Sequence, residues 1–394
     1  MTGRIRRGET DVVDLQTQVA EFTGATHALC MPQARVGIFL ALCSLIRPGQ
    51  KVVLSPYTYY DVVNMVLCAG GRPVFADVEP QSCNISADEV AGLIDSETGA
   101  VIATHLYGQV CDIEHIAEIC KAAGIALIED AAQGFGSRAN GKHAGTFGDV
   151  GIFSFHRVKN VNTFYGGMAI TNNPDLHDSM AVMMEKFSYE SPGVLLRRAA
   201  YSLAADVMTA PPVFQLLTAR LFQLDYRLDL NAVSKLVQVA EPEMYSEFPK
   251  RYERRMTPLQ ARMAMRQIAN VDRLSQIRIE HARQYRRGLE KLSGIMLPPW
   301  SEDGANIFLA YPIRVTERDQ LVRAMMRAGR DLQVQTATNA ADLPCFSDYA
   351  RDCPNARAAI QQTLLLPTYP TYPKSEIEKN IGEIRSFCQQ LRDR

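Results

Sequence analysis

What the chain has little of narrows it before any motif does. Its 394 residues carry 42 basic and 43 acidic side chains, a net charge of -1, so neither a polyanion-binding face nor an acidic tail is encoded. Nucleic acid is therefore not an expected partner. Nine cysteines, at 30, 43, 68, 83, 111, 120, 345, 353 and 388, are scattered without a CxxC pair, and the odd number argues for reduced thiols rather than a disulfide framework. No apolar run reaches the roughly eighteen uncharged residues that span a bilayer. The opening Met1-Thr2-Gly3-Arg4-Ile5-Arg6-Arg7 leads into polar and charged residues, which predicts no secretory signal and a soluble, cytoplasmic protein. Internal repeats and low-complexity tracts are missing too. The length suits two domains, or one large domain with a smaller one appended.

What is present is an alternation of short apolar runs with helical periodicities. Val12, Val13, Leu15, Val19 and Phe22 fall largely at helical spacing before Gly24. After an apolar piece at 28–31, residues 36–45 read as a buried helix that stops before Pro48-Gly49. Its entry, Pro32-Gln33-Ala34-Arg35, would leave free N–H groups where an anion can sit; an ordinary strand-to-helix turn explains the same residues. Residues 51–56 and 73–78, with an apolar helical stretch at 62–68 between them, form a β-α-β unit, and Ser86-Ala87-Asp88-Glu89 fits a capping box. The runs at 100–106 and 125–131 are continuously apolar and are joined by a helix with Ile113, Ile116, Ala117 and Cys120 at i, i+3, i+4 and i+7. Strands without alternation, spaced by helices, predict an α/β fold with a parallel sheet covered on both faces. Ligands bind such sheets at the carboxyl ends of the strands.

Asp130 ends one of those runs. Lys159 lies in the connection between strands expected at 150–156 and 167–171, after a loop at 139–148. A lysine in a loop is ordinarily a solvated surface group, but Phe153, Phe155, Val158 and Phe164 make this loop semi-apolar, and burial lowers an amine toward its reactive neutral form. A carboxylate and an amine at neighbouring strand ends suit pyridoxal phosphate, which needs a protonated ring nitrogen and a Schiff-base partner.

The region 186–248 departs from the alternation, with Val194-Leu195-Leu196, an apolar stretch over 207–217 and Leu221-Phe222-Gln223-Leu224, interspersed with arginines. It reads first as an inserted helical subdomain or dimer arm, with an active-site lid and an amphipathic element that meets lipid as the alternatives. Thr257-Pro258 starts a helix expected to run through Met263, Ile268, Val271 and Leu274 toward Leu289, bridging two domains. A strand over 307–315, a helix over 319–328, a strand at 364–367 and a last helix over 375–391 then predict a smaller α/β domain.

Ordered along nearly the whole chain are Ala41-Leu42, Pro48-Gly49, Tyr57-Thr58-Tyr59, Pro73-Val74-Phe75-Ala76-Asp77-Val78, His105-Leu106-Tyr107-Gly108-Gln109, Glu129-Asp130-Ala131-Ala132-Gln133, Gly145-Thr146-Phe147-Gly148-Asp149, Ser154-Phe155-His156 with Lys159-Asn160, Gly166-Gly167, Arg255-Met256 and Leu366-Pro367. Together they resemble the DegT/DnrJ/EryC1/StrS group of pyridoxal-phosphate aminotransferases. The resemblance implies fold type I: a mostly parallel seven-stranded sheet in a large domain, residues 1–256 with a helical insertion at about 186–248, and a bridging helix plus small domain over 257–394. By the same resemblance, Lys159 joins the cofactor and moves protons, and Asp130 pairs with the pyridinium nitrogen. Gln133 lies near the phenolic oxygen, Tyr59 stacks on the ring, and Ser154 meets the phosphate. The phosphate cup departs from the family: Gln33-Ala34-Arg35 replaces Ser-Gly-Thr, so Ala34 and Arg35 would grip the phosphate by backbone and guanidinium, and Glu253 replaces an asparagine that reaches the partner subunit's phosphate. The family's C-terminal sugar-side elements are also replaced, around Gly329-Arg330-Asp331 to Ala337-Thr338-Asn339. The implied function is transfer of an amino group, from a donor such as glutamate, to a keto-sugar or cyclitol by a homodimer with active sites at its interface. The alternative is a cofactor-binding regulatory or scaffold partner without turnover.

Overall fold

The computed structural model describes residues 2–210, 241–301, 305–330, 332–334 and 337–393, with a few isolated positions between 210 and 241. Seven strands form the central sheet: β1 (His27–Met31), β2 (Lys51–Leu54), β3 (Arg72–Phe75), β4 (Thr98–Thr104), β5 (Ala126–Asp130), β6 (Val150–Ser154) and β7 (Gly167–Thr171). Their spatial order is β1-β7-β6-β5-β4-β2-β3. The pairs from β6 to β3 are parallel, whereas β7 is antiparallel to both β6 and β1, so only β7 runs against the rest. The continuous apolar runs are explained by burial on both faces: Ile102 and Ile128 enter the cluster under the helix Ala34–Leu45, while Val101 and Leu127 enter the one under the helix Ile113–Ala123. Gly124 closes that second helix at φ 66°, a left-handed position that glycine adopts without strain.

Residues 1–256 do not hold all of this layer's packing. Ala340, Phe346, Ala356 and Ala359 belong to the same cluster as Phe75 and Tyr57, and Thr338–Asn339 pairs with Tyr57–Thr58. A separate four-stranded antiparallel sheet, ordered Ile295–Met296, Tyr311–Val315, Thr363–Leu366, Gln333–Val334, packs against the helices Arg318–Arg327 and Lys374–Arg392.

Where one bridging helix was expected there are two, Pro258–Ile268 and Val271–Leu289. Asn270 leaves helical geometry at φ -114° and ψ 0°, and Gln267 just before it turns its side chain to Asn162, donating to the carbonyl and accepting from the N–H. The start behaves as the sequence requires: Thr257 and Gln260 form a reciprocal capping box. Gln260 Nε2 also donates to the carbonyls of Thr163 and Tyr165, which ties the helix to the loop carrying Lys159.

Of the insertion, the structure describes the helix Pro192–Thr209, capped by Ser191. The sequence readings for most of 211–240 fall outside the described residues. Its two ends are clasped, because Ser188–Tyr189 pairs in parallel with Arg254–Arg255.

Close approach of β6 to the 143–148 loop depends on Gly151, where a Cβ would overlap the Gly145 carbonyl. Backbone cannot yield as a side chain does. Gly151→Ala is therefore expected to destabilise the fold by about 1–3 kcal/mol, read as a lower denaturant midpoint with an unchanged m-value. An unaltered midpoint would show that the loop gives way freely.

Candidate active site

Successive residues of a strand face opposite ways, and at the end of β5 this separates two neighbouring carboxylates. Glu129 is fully buried on one side. It accepts from the N–H groups of Gly145, Phe147 and Gly148 at 2.7, 2.6 and 2.8 Å and lies 3.0 Å from His105 Nε2. Because the Cys111 N–H donates to His105 Nδ1 at 3.3 Å, the imidazole proton is on Nε2 and is given to Glu129. Four donors thus hold this carboxylate as a structural anchor at the sheet end.

Asp130 faces the other way, into a cavity of about 380 Å³. It is 5% exposed. Oδ1 accepts from the Ala132 N–H at 3.1 Å, and Oδ2 accepts no hydrogen bond from any described residue. Burial pushes its carboxyl above the usual range, opposed by the Ala132 hydrogen bond and the Lys159 charge. Lys159 reaches the same cavity from the loop after β6. Desolvation lowers its amine to about 8, with Asp130 pulling the other way. Nζ has no hydrogen-bond or ion partner among the described residues, so a nucleophilic amine stands beside an under-satisfied carboxylate.

The remaining expected residues also line this cavity: Ala34, Arg35, Tyr59, Gln133 and Ser154. Gln133 Oε1 accepts from the Tyr107 N–H at 3.1 Å, which leaves its NH₂ as the group available to a ligand. Tyr107 holds φ 59°, so this contact rests on an unusual backbone turn. At the start of the helix Ala34–Leu45, Gln33 supplies no side-chain cap, and the N–H groups of Ala34 and Arg35 have no partner among the described residues. That is an anion cradle. Gly167 permits it, since a Cβ there would lie 2.9 Å from the Ala34 nitrogen and 2.7 Å from the Phe153 oxygen.

The Arg35 guanidinium is engaged elsewhere than the expectation of a phosphate clamp implied. It forms an ion pair with buried Asp61, donates to the Tyr252 hydroxyl at 2.9 Å, and lies 5.1 Å from the ring centres of both Tyr59 and Tyr252. Its charge is neutralised locally, and the cup relies on backbone N–H groups and Ser154. Glu253 follows the short helical turn Lys250–Tyr252, beside the clasp at the base of the insertion.

His105 and His156 line the cavity without having been singled out individually as site residues. Both stand within the ordered motifs given above for the resemblance, but a single histidine inside a motif gives no spacing or charge pattern of its own to notice. His156 packs edge-on against Tyr165, with ring centres 4.7 Å apart, and is pushed down to about 4 by burial and by the positive charges of Lys159 and Arg157. It stays neutral at physiological pH.

These residues fit pyridoxal phosphate: an uncapped helix start for the phosphate, a buried carboxylate lacking a cation for the ring nitrogen, and a low-pKa amine for the aldehyde. The fold and this donor set define a fold type I, pyridoxal-phosphate-dependent transferase. The chain belongs to the DegT/DnrJ/EryC1/StrS aminotransferase family, which it matches over residues 2–193 and 236–385. It is similar to the GDP-perosamine synthase of Vibrio cholerae, 39% identical over 164 residues; that match takes in 41% of this chain and spans 45% of the relative's length. A pleiotropic regulatory protein of Geobacillus stearothermophilus is 26% identical over 387 residues, 96% of this chain and 90% of the relative. Among solved structures, DesV of S. venezuelae superposes with a TM-score of 0.76 at 23% identity, covering 96% of this chain and 89% of that one.

The lowered amine has a signed consequence. Below about 8 Lys159 is protonated and unreactive; above it the free base dominates. The rate at which the apoprotein condenses with pyridoxal phosphate should rise about tenfold per pH unit up to that value and then level off. Stopped-flow absorbance measures it, and a rise continuing toward pH 10 would contradict a desolvated Lys159.

Proposed function

We propose that the chain is an aminotransferase that moves an amino group from a donor such as glutamate to a keto group on a nucleotide-linked sugar or a cyclitol. The observation that carries this is the unpartnered Lys159 amine, lowered to about 8, sharing one buried cavity with the open edge of the Asp130 carboxylate. When bound, pyridoxal phosphate supplies an aldehyde that condenses with amines and a ring that withdraws electrons. Asp130 Oδ2 would hold the proton on the ring nitrogen and keep the ring electron-poor. Lys159, half of it free base near pH 8, would take a proton from the substrate carbon and return it. Tyr59 would cover a ring face, the Gln133 amide would donate to the phenolic oxygen, and Ala34, Arg35 and Ser154 would hold the phosphate through two N–H groups and a hydroxyl. The likeness to GDP-perosamine synthase supports a nucleotide-linked acceptor. A non-catalytic binding role is disfavoured, because it requires no low-pKa amine.

The reading includes a cytoplasmic homodimer. It is supported by nine free cysteines, by the absence of a helix long and apolar enough to cross a membrane among the described residues, and by family membership. A division near Thr257 into large and small domains is supported by the two separate sheets.

The test is a half-reaction. Holoenzyme mixed with L-glutamate should release 2-oxoglutarate and leave the cofactor in its amino form. Lys159→Ala should lower that rate by about 10²–10⁴, and Asp130→Asn by about a hundredfold or more. Loaded wild-type protein that leaves a panel of amino acids unconverted would sink the assignment.

A further inference from the structure

Past Lys159 the cofactor cavity gives way to another. Val158 and Lys159 line both, and the second, of about 560 Å³, lies between the lysine loop and the C-terminal sheet. Arg278, from the helix Val271–Leu289, lines it and is only 9% exposed. Its Nη1 donates to the Leu309 carbonyl at 3.0 Å. The same carbonyl accepts from Thr368 Oγ1 at 3.1 Å, so one edge of the guanidinium is pinned in place. Nε and Nη2 donate to nothing among the described residues, and no described carboxylate pairs with this arginine.

A buried cation without a counter-charge is costly to keep, and proteins ordinarily pair or neutralise it. Arginine does not neutralise: burial pulls Arg278 down to about 10, which leaves it charged at neutral pH. The other charged groups lining this cavity are the cations Arg157 and Lys159 and one acid, Asp206, which is exposed at the rim. The cavity is thus net positive, with its fixed cation on the side of Lys159 away from Asp130.

We propose that Arg278 is the substrate-side oxyanion site, its free guanidinium edge binding the carboxylate of the amino donor while the donor's amine lies at Lys159. This rests on the aminotransferase reading above. A planar fork suits a carboxylate bidentately. The same chemistry would also accept the diphosphate of a nucleotide-linked acceptor, and the experiment separates the two sources.

Pyridoxal-loaded protein is titrated calorimetrically with glutarate, a dicarboxylate that lacks the reacting amine, and with inorganic pyrophosphate. In R278M the glutarate dissociation constant should rise about ten- to a hundredfold, R278K should recover part of the loss, and pyrophosphate should bind as in wild type. Loss confined to pyrophosphate would overturn the donor assignment in favour of the acceptor's diphosphate. Unchanged binding of both anions in R278M, or in R278Q should R278M fail to fold, would overturn the site altogether. Binding is read without turnover, so a holoenzyme that leaves glutamate unconverted yet loses glutarate with Arg278 would fail the function and keep the site.

Discussion

Desolvation is the constraint on which the rest depends. One buried pocket raises a carboxylate, lowers an amine and neutralises an imidazole, at Asp130, Lys159 and His156 respectively. Each shift disfavours the charged form, and none is relieved by a strong partner among the described residues. A ligand with a protonated ring nitrogen and an electrophilic carbon relieves the first two together, which is why the pocket reads as a cofactor site rather than a storage place for strain.

The scaffold keeps these groups in place by anchoring their neighbours. Glu129, one residue from Asp130, uses both oxygens on backbone N–H groups and His105, so the end of β5 cannot rotate without breaking four contacts. Gln260 does the corresponding work for the lysine loop, since its amide reaches across to Thr163 and Tyr165 while its oxygen completes a helix cap. Rigid support of this kind lets a reactive pair remain unsatisfied without collapsing onto nearby partners.

Much of this was legible in the sequence, for identifiable reasons. Strands buried on both faces write themselves as uninterrupted apolar runs, so β4 and β5 and the position of Asp130 at a strand end could be read directly. The helix start at Thr257-Pro258 was equally plain, being a local pattern, whereas Ser86, read as the opening of a capping box, makes no side-chain cap hydrogen bond. Less legible were features decided by partners distant in sequence. The break at Asn270 depends on Gln267 meeting Asn162, and the engagement of Arg35 depends on Asp61 and Tyr252. His105 gave no signal of its own because its role is set by a tautomer, which only the Cys111 and Glu129 contacts define. The reversal of β7 was likewise hidden, since a strand's direction leaves no trace in its composition.

The clasp between Ser188–Tyr189 and Arg254–Arg255 gives the insertion a particular status. A segment that departs and returns through one paired doorway is topologically a closed excursion, yet this one stays in touch with the site: Asp206 and Ala210 line the cavity beyond Lys159, and the Arg198 guanidinium lies 4.1 Å from the Tyr165 ring centre. The family correspondence stops and resumes inside those limits, at 193 and 236. The excursion therefore has two faces: Leu196 and Leu203 point outward, while Arg198, Tyr201 and Asp206 reach back to the loop and cavity around Lys159.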